Sequence, residues 1–111
     1  MELNLNTVKR PTLDLTLMDE EQTLLRVKMP TLDLFKEMQS VSSSLDGVED
    51  GDKDSADALY EILAKLLSCN RDRIKVTAPQ LRGQYNLDLE SALLVFRAYV
   101  DFITSILNAK N

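Results

Sequence analysis

The stretch LESALLVFRAYVDFITSIL, from Leu89 to Leu107, predicts the long helix around which the rest of the chain is organised. At about 100° per residue, its apolar side chains fall into two neighbouring stripes, whereas a surface helix with one packed face carries one. Together the stripes cover about half of the helix circumference. The first stripe consists of Leu89, Leu93, Phe96, Val100, Ile103 and Leu107, and the second of Val95, Tyr99, Phe102 and Ile106.

Both stripes must be covered, because apolar surface is driven out of contact with water. The first stripe predicts a core face. The second is either buried by the remainder of a small domain or completed by another molecule, and Tyr and Phe are residue types that favour protein interfaces. Val95, Tyr99, Phe102 and Ile106 are therefore our candidate residues for self-association or partner binding.

The composition predicts one domain, residues 1 to 111, with one hydrophobic core, since 44% of the residues are hydrophobic. A formal net charge of −5 argues against a nucleic-acid partner, which needs clustered excess Lys and Arg. The single cysteine, Cys69, has no internal disulfide partner, and neither a secretory signal nor an apolar run of about 20 residues is present. We therefore expect an intracellular protein with no membrane partner.

The first quarter of the chain has the period-2 alternation that is typical of strands. This alternation predicts strands at about 2–6, 13–18 and 23–29. The last two are joined by a polar tip and form a β-hairpin. Because a lone hairpin is marginal in water, its leucine face must lie against helices or a further strand.

About four helices are predicted after the hairpin, at about 32–41, 55–69, 78–85 and 88–108. Between the first two, the composition shifts to Ser, Asp, Glu and Gly, which predicts a mobile acidic loop at about 42–53. The predicted fold is therefore α+β: an N-terminal β-hairpin, or three strands if the segment at 2–6 joins it, is followed by helices, the last of them long.

Several residues have the character of helix ends. Thr31 is a predicted N-cap, and Thr77-Ala78-Pro79-Gln80 has the form of a capping box. The second helix is predicted to be capped by Asp54 or Ser55 and to stop at a left-handed Asn70. The last helix is predicted to be capped by Asn86 or Asp88.

Two common signatures of catalytic and cofactor sites, histidine and glycine-rich nucleotide-binding motifs, are missing from the sequence. There is no histidine, which removes the commonest general base near neutral pH and the commonest transition-metal ligand. The three glycines make neither a phosphate-binding loop nor a dinucleotide fingerprint. We therefore predict that the chain is not an enzyme and binds no cofactor.

One acidic pattern partly matches a calcium-binding loop. Asp50, Asp52, Asp54 and Glu61 fall at positions 1, 3, 5 and 12 of an EF-hand loop, but Ser55 stands where the sharp turn needs glycine. We therefore predict no metal site, and expect these carboxylates to favour the start of a helix instead.

A set of phrases, taken in order, carries a resemblance that covers most of the chain. They are the Leu13 to Met29 hairpin with Leu17-Met18-Asp19-Glu20-Glu21, the helix start at Pro30-Thr31, the acidic loop, Asp57-Ala58-Leu59-Tyr60, and Ala98-Tyr99-Val100-Asp101-Phe102-Ile103. In order and size they resemble the small tail assembly chaperones of long-tailed, siphovirus-type phages and prophages of Gram-positive bacteria.

This resemblance implies a non-enzymatic role. Proteins of that family bind the long, helical, apolar tape-measure protein in the host cytoplasm and assist polymerisation of the tail-tube protein around it. They tend to self-associate as homo-oligomers, are often made in two lengths by ribosomal frameshifting, and are absent from the mature virion. Coating an apolar client would remove an aggregation-prone surface from water.

A second hypothesis belongs to a different class. The net charge and the acidic cluster from Asp46 to Asp57 are also typical of a small acidic regulatory protein that binds a basic surface of a host nucleic-acid enzyme. Such an inhibitor carries its acids on a rigid face, whereas the sequence predicts a loop here. Binding that is lost in high salt would favour this hypothesis, and binding that persists would favour the apolar stripe.

Overall fold

The structure, a computed structural model, describes Asn4 and residues 10 to 108. Strands β1 (Leu13–Thr16) and β2 (Leu24–Val27) form an antiparallel hairpin in which Leu13 lies opposite Val27. The helices that follow are α1 (Leu32–Ser42), α2 (Leu45–Glu49), α3 (Lys53–Leu67), α4 (Ala78–Arg82) and α5 (Leu89–Asn108). The predicted α+β class, with a hairpin first and a long helix last, is confirmed.

The strand predicted at about 2–6 lies outside the described residues except for Asn4, which is exposed and in no strand. The two hairpin strands form as predicted, although both are shorter. Leu25 and Val27 are fully buried, while the intervening Arg26 is exposed, so β2 turns one face to the helices. That contact supplies the support that an isolated hairpin lacks.

The connection from α3 to α4 extends the hairpin on the far side of β2. Asn70 forms an antiparallel bridge with Val27, the Lys28 amide donates to the Cys69 carbonyl (2.7 Å), and the Arg71 amide donates to the Arg26 carbonyl (3.0 Å). The prediction of a left-handed stop at Asn70 was wrong, because that conformation falls on Arg73 (φ 57°). Asn70 is instead buried and hydrogen-bonded to the chain around it.

The predicted mobile loop at about 42–53 was wrong as well, because it contains α2. Val48, near the end of this helix, is 1% exposed and belongs to the core. Gly47 lies so close to the start of α3 that a Cβ atom there would approach the Ser55 hydroxyl oxygen to 2.5 Å. The segment is polar in composition, but the Val48 side chain is apolar and buried, and its burial holds α2 against α3.

Side chains cap the N-termini of α1, α3, α4 and α5, three of them as predicted. Thr31 caps α1 and the Thr77–Gln80 capping box opens α4. The Asp88 carboxylate accepts from the Ser91 amide (2.7 Å) at the start of α5, which selects Asp88 over Asn86. For α3 the prediction was wrong: the cap is Asp52, two residues before Asp54.

The core is formed where α3, α5 and β2 meet. On α3 the buried side chains include Leu59, Leu63 and Leu66, each with 0% exposure, and on α5 they include Phe96 and Tyr99. Within residues 10 to 108, no helix combines the length and the apolar character that crossing a membrane requires.

Candidate functional site

Burial on α5 follows position along the helix rather than the two sequence stripes. In the middle, Phe96 (1% exposed) and Ile103 (2%) of the first stripe are buried. At the two ends of the same stripe, Leu89 (36%) and Leu107 (48%) are exposed. The domain therefore covers the centre of the predicted core face and leaves both ends exposed, the C-terminal end more than the N-terminal end.

The second stripe divides in the same way. Val95 and Tyr99 are buried, and the Tyr99 hydroxyl donates a hydrogen bond to the Lys28 carbonyl just beyond β2 (2.8 Å). Phe102 and Ile106 are half-buried, and the rings of Tyr99 and Phe102 stack with centroids 6.0 Å apart. Burial raises the pKa of the Tyr99 hydroxyl further above neutral pH, where a phenol is already protonated and able to donate. Of the four candidate residues, Phe102 and Ile106 keep the most exposed surface.

An apolar cleft runs between the open end of α5 and α1. It consists of two adjoining depressions of about 210 and 190 Å³, which share Phe35, Ile103 and Leu107. We call it the α1–α5 groove. The smaller depression is also lined by Met29, Pro30, Thr31 and Leu32, and the larger one by Met38, Gln39, Ser42, Val100 and Thr104.

The contribution of α1 to this groove was missed in the sequence. Leu32, the first residue of α1, is 67% exposed, and Met29 just before it is 36% exposed. From the sequence, an apolar residue at the start of a helix is expected to be a core residue. Only the packing of α1 beside α5 shows that Leu32 borders a groove. The groove is shallow and open, with exposed apolar residues on its border, and such a surface can receive apolar side chains of a protein partner.

A second apolar cleft lies between the hairpin and the first half of α5. It measures about 170 Å³, and two of its lining residues, Met18 (50%) and Leu94 (59%), are exposed. We call it the hairpin groove. Its lining residues are Leu15, Thr16, Leu17, Met18, Leu87, Ser91, Leu94 and Val95.

The largest cleft among these, about 440 Å³, lies between α3 and α4 and has three charged residues in its lining. Asp57 and Glu61 stand one helical turn apart on its wall, but Asp57 is ion-paired with Arg82. The Arg82 guanidinium also lies 4.4 Å from the centre of the Tyr60 ring. The ion pair and the ring contact of Arg82 tie α4 to α3, which is a structural role.

The carboxylates of the partial EF-hand pattern do not surround a common point. Because α3 begins at Lys53, Asp54 and Glu61 lie on a helix, and the Asp52 carboxylate accepts hydrogen bonds from the Ser55 amide (3.1 Å) and hydroxyl (2.6 Å). Within the part of the chain that the structure describes, no three His, Cys, Asp or Glu side chains are grouped so that they could hold a metal ion.

The Asp52 cap leads to a prediction about acid pH. The hydrogen bonds from Ser55 hold the pKa of Asp52 below its usual value. A carboxyl whose pKa is lower in the folded state stabilises the fold above its unfolded pKa and loses this contribution as pH falls through the folded value. We expect the melting temperature to fall below about pH 4, and to fall less steeply in Asp52→Asn, as measured by circular dichroism. Equal slopes in both proteins would contradict the prediction.

Comparisons of this chain with protein-family models, with curated proteins and with solved structures found no match.

Proposed function

We propose that this chain is a small, non-enzymatic tail assembly chaperone of a long-tailed phage or prophage. In this proposal it binds the apolar, helical tape-measure protein in the host cytoplasm, assists assembly of the tail-tube protein, self-associates, and is absent from the mature virion. The sequence resemblance described above suggests the family, and the distribution of apolar surface on the molecule supports the proposal.

The observation that carries the proposal is the α1–α5 groove. An amphipathic helix binds a partner by placing apolar side chains at i, i+3, i+4 and i+7 into a hydrophobic groove. The groove supplies such a surface, because it is lined by Phe35, Ile103 and Leu107 and bordered by the exposed Leu32. Phe102 and Ile106, which are half-buried on the same part of α5, extend the available apolar surface.

The test is a tagged pull-down from phage-producing cells at low and at high salt, with the bound proteins identified by mass spectrometry. The variant carries Leu32→Asp and Leu107→Lys. Both side chains are exposed, and each new charge suits the helix end at which it is placed, so the fold is retained. We expect the wild type to retain a very long, helix-rich phage protein at high salt, and the variant to lose it by at least about tenfold.

The matched control is Leu89→Asp. This leucine is exposed on the same helix but lines neither apolar groove, and an acidic residue is favourable at the first turn. The control should bind like the wild type. If the captured protein is unaffected by the double variant, the groove is not the binding surface.

One observation favours the acidic-inhibitor hypothesis as the second candidate. The acids expected in a loop lie on or beside the ordered helices α2 and α3, which provides the rigid face that such an inhibitor needs. Part of this charge is already used, because Glu49 pairs with Arg97 and Asp57 with Arg82. A nucleic-acid enzyme captured only at low salt would support this candidate and overturn the chaperone proposal.

A further inference from the structure

The hairpin groove has exposed apolar residues on both of its walls. Met18 on the hairpin side and Leu94 on α5 are each at least half exposed, and the buried Leu17 and Val95 also line the cleft. Exposed apolar side chains that are grouped around a cleft, rather than scattered over the surface, indicate a binding site for another molecule.

Acidic residues continue the hairpin wall of this groove. Met18 is followed directly by Asp19, Glu20 and Glu21 in the turn that joins the two strands. The Asp19 carboxylate accepts hydrogen bonds from the Thr23 hydroxyl and from the Thr23 amide (2.7 Å), so its position at the turn is fixed. Glu20 and Glu21 are exposed. The groove therefore has negative charge at the end of its strand wall.

Acidic residues also flank the helix wall. Asp88 and Glu90 lie in the chain between Leu87 and Ser91, both of which line the groove. The Asp88 carboxylate accepts from the Ser91 amide (2.7 Å), which holds this charge beside the lining. Glu90 lies one turn before the exposed Leu94 on α5. Both walls of the groove therefore have carboxylates beside them.

No basic residue neutralises these carboxylates within the part of the chain that the structure describes. Asp19, Glu20, Glu21, Asp88 and Glu90 form what we call the acidic rim, and none of them takes part in an ion pair among the described residues. The arginines nearest to the helix wall along the chain, Arg82 and Arg97, pair with Asp57 and Glu49 instead. An apolar cleft with a negative border favours a positively charged partner and disfavours nucleic acid or an anionic membrane.

We propose that the hairpin groove binds a basic amphipathic helix of a partner protein. Such a helix has one apolar stripe that is bordered on both sides by polar residues. Its apolar side chains contact Met18 and Leu94, and lysine or arginine residues at the two borders of the stripe face the acidic rim on the two walls. An extended segment fits less well, because its side chains alternate between two opposite faces.

This binding surface is separate from the α1–α5 groove. Leu94 and Leu107, one in each groove, are about 20 Å apart along α5, at a rise of 1.5 Å per residue. The α1–α5 groove also has charges of both signs beside it, since Asp33 and Lys36 lie close to Phe35 on α1. The inference therefore adds a second partner to the client binding proposed above, and it does not depend on that binding.

The test is a titration of the full chain with fluorescently labelled synthetic peptides, followed by fluorescence anisotropy. The probe is a leucine–lysine peptide of about four helical turns, with its leucines on one face. One comparison peptide has glutamate in place of every lysine, and the other has serine in place of every leucine. We expect the wild type to bind the leucine–lysine peptide at a single site, and each comparison peptide at least about tenfold more weakly.

A substitution in the groove wall tests the apolar contact. Leu94→Lys should weaken binding of the leucine–lysine peptide by at least about tenfold, because it removes an apolar wall residue and places a like charge against the peptide. Leu107→Lys is the matched control, since it makes the same change at an exposed position of the same helix but outside this groove. The control should bind the peptide like the wild type.

A charge reversal tests the acidic rim. Glu20→Lys with Glu21→Lys should weaken binding by about tenfold at low salt and by less at high salt, where exposed charges are screened. Asp50→Lys with Asp101→Lys changes the net charge equally at exposed positions that do not line the groove, and should have little effect. Circular dichroism melting of each variant verifies that it is folded.

NMR of the amide groups locates the bound peptide. We expect chemical-shift changes at Met18, Ser91 and Leu94, and none of similar size at Phe35 or Leu107. Four outcomes would overturn the proposal: no binding by the wild type, a comparison peptide that binds as tightly as the probe, a Leu94→Lys protein that binds like the wild type, or shifts that cluster away from the hairpin groove. None of them alters the pull-down comparison for the α1–α5 groove, so this inference and the proposed client binding fail separately.

Discussion

Tyr99→Ala is expected to lower the free energy of unfolding by about 4 kcal/mol, the usual cost of truncating a buried aromatic side chain. Tyr99 is 1% exposed and is the largest of the fully buried side chains, so its removal leaves a cavity where α5 meets the end of β2. It also leaves the Lys28 carbonyl without the hydroxyl that donates to it. Since small domains are stable by only about 5 to 15 kcal/mol, this is a large fraction of the total.

Urea unfolding followed by circular dichroism measures this effect, and Phe102→Ala is the matched control. Phe102 is an aromatic residue on the same helix, but it is only half-buried, so the expected loss is about 1 kcal/mol. Similar losses in the two variants would show that Tyr99 is not a core residue. A buried Tyr99 cannot be replaced by a charged residue without unfolding the domain. Partner binding should therefore be tested with substitutions at Phe102.

Asn70→Leu is expected to lower the free energy of unfolding by about 3 kcal/mol, although leucine is of similar size and more apolar. The Asn70 amide nitrogen donates to the Leu67 carbonyl (2.8 Å) and the Ile74 carbonyl (2.7 Å), and its oxygen accepts from the Ile74 amide (2.9 Å). Asn70 is 2% exposed, so water cannot easily replace these bonds. The substitution leaves three backbone groups without a partner.

The loss is measured by urea unfolding, and hydrogen exchange of the Lys28 and Arg71 amides locates it. Both amides bond across the β2 extension that Asn70 holds in place, so they should exchange faster in the variant. Asn108→Leu, at an exposed position in the last turn of α5, is the control and should change stability by less than about 0.5 kcal/mol. An Asn70→Leu protein as stable as wild type would show that the side-chain network contributes little.

Tyr99 and Asn70, the residues in these two predictions, have structural roles that the sequence pattern did not predict. Tyr99 was expected on a possible partner surface, because its place in a second apolar stripe is compatible with either burial or exposure. Asn70 was expected as a helix stop, because asparagine is common in that position. Tyr99 bonds to the Lys28 carbonyl, which is distant along the chain, and Asn70 bonds to the nearby backbone of Leu67 and Ile74. A pattern of apolar periodicity contains no information about either contact.

The sequence by itself determined the elements that arise from local physics. The alternation of β1 and β2, the caps at Thr31 and Thr77, and the long apolar α5 follow from side-chain period and from hydrogen bonds within three residues. The tertiary structure alone decided which apolar residues stay exposed. Val48 orders an acidic segment, Tyr99 is buried beneath the end of β2, and α1 leaves a groove beside Leu107. These outcomes depend on how separate elements pack, because burial is a property of the assembled domain and not of any one segment.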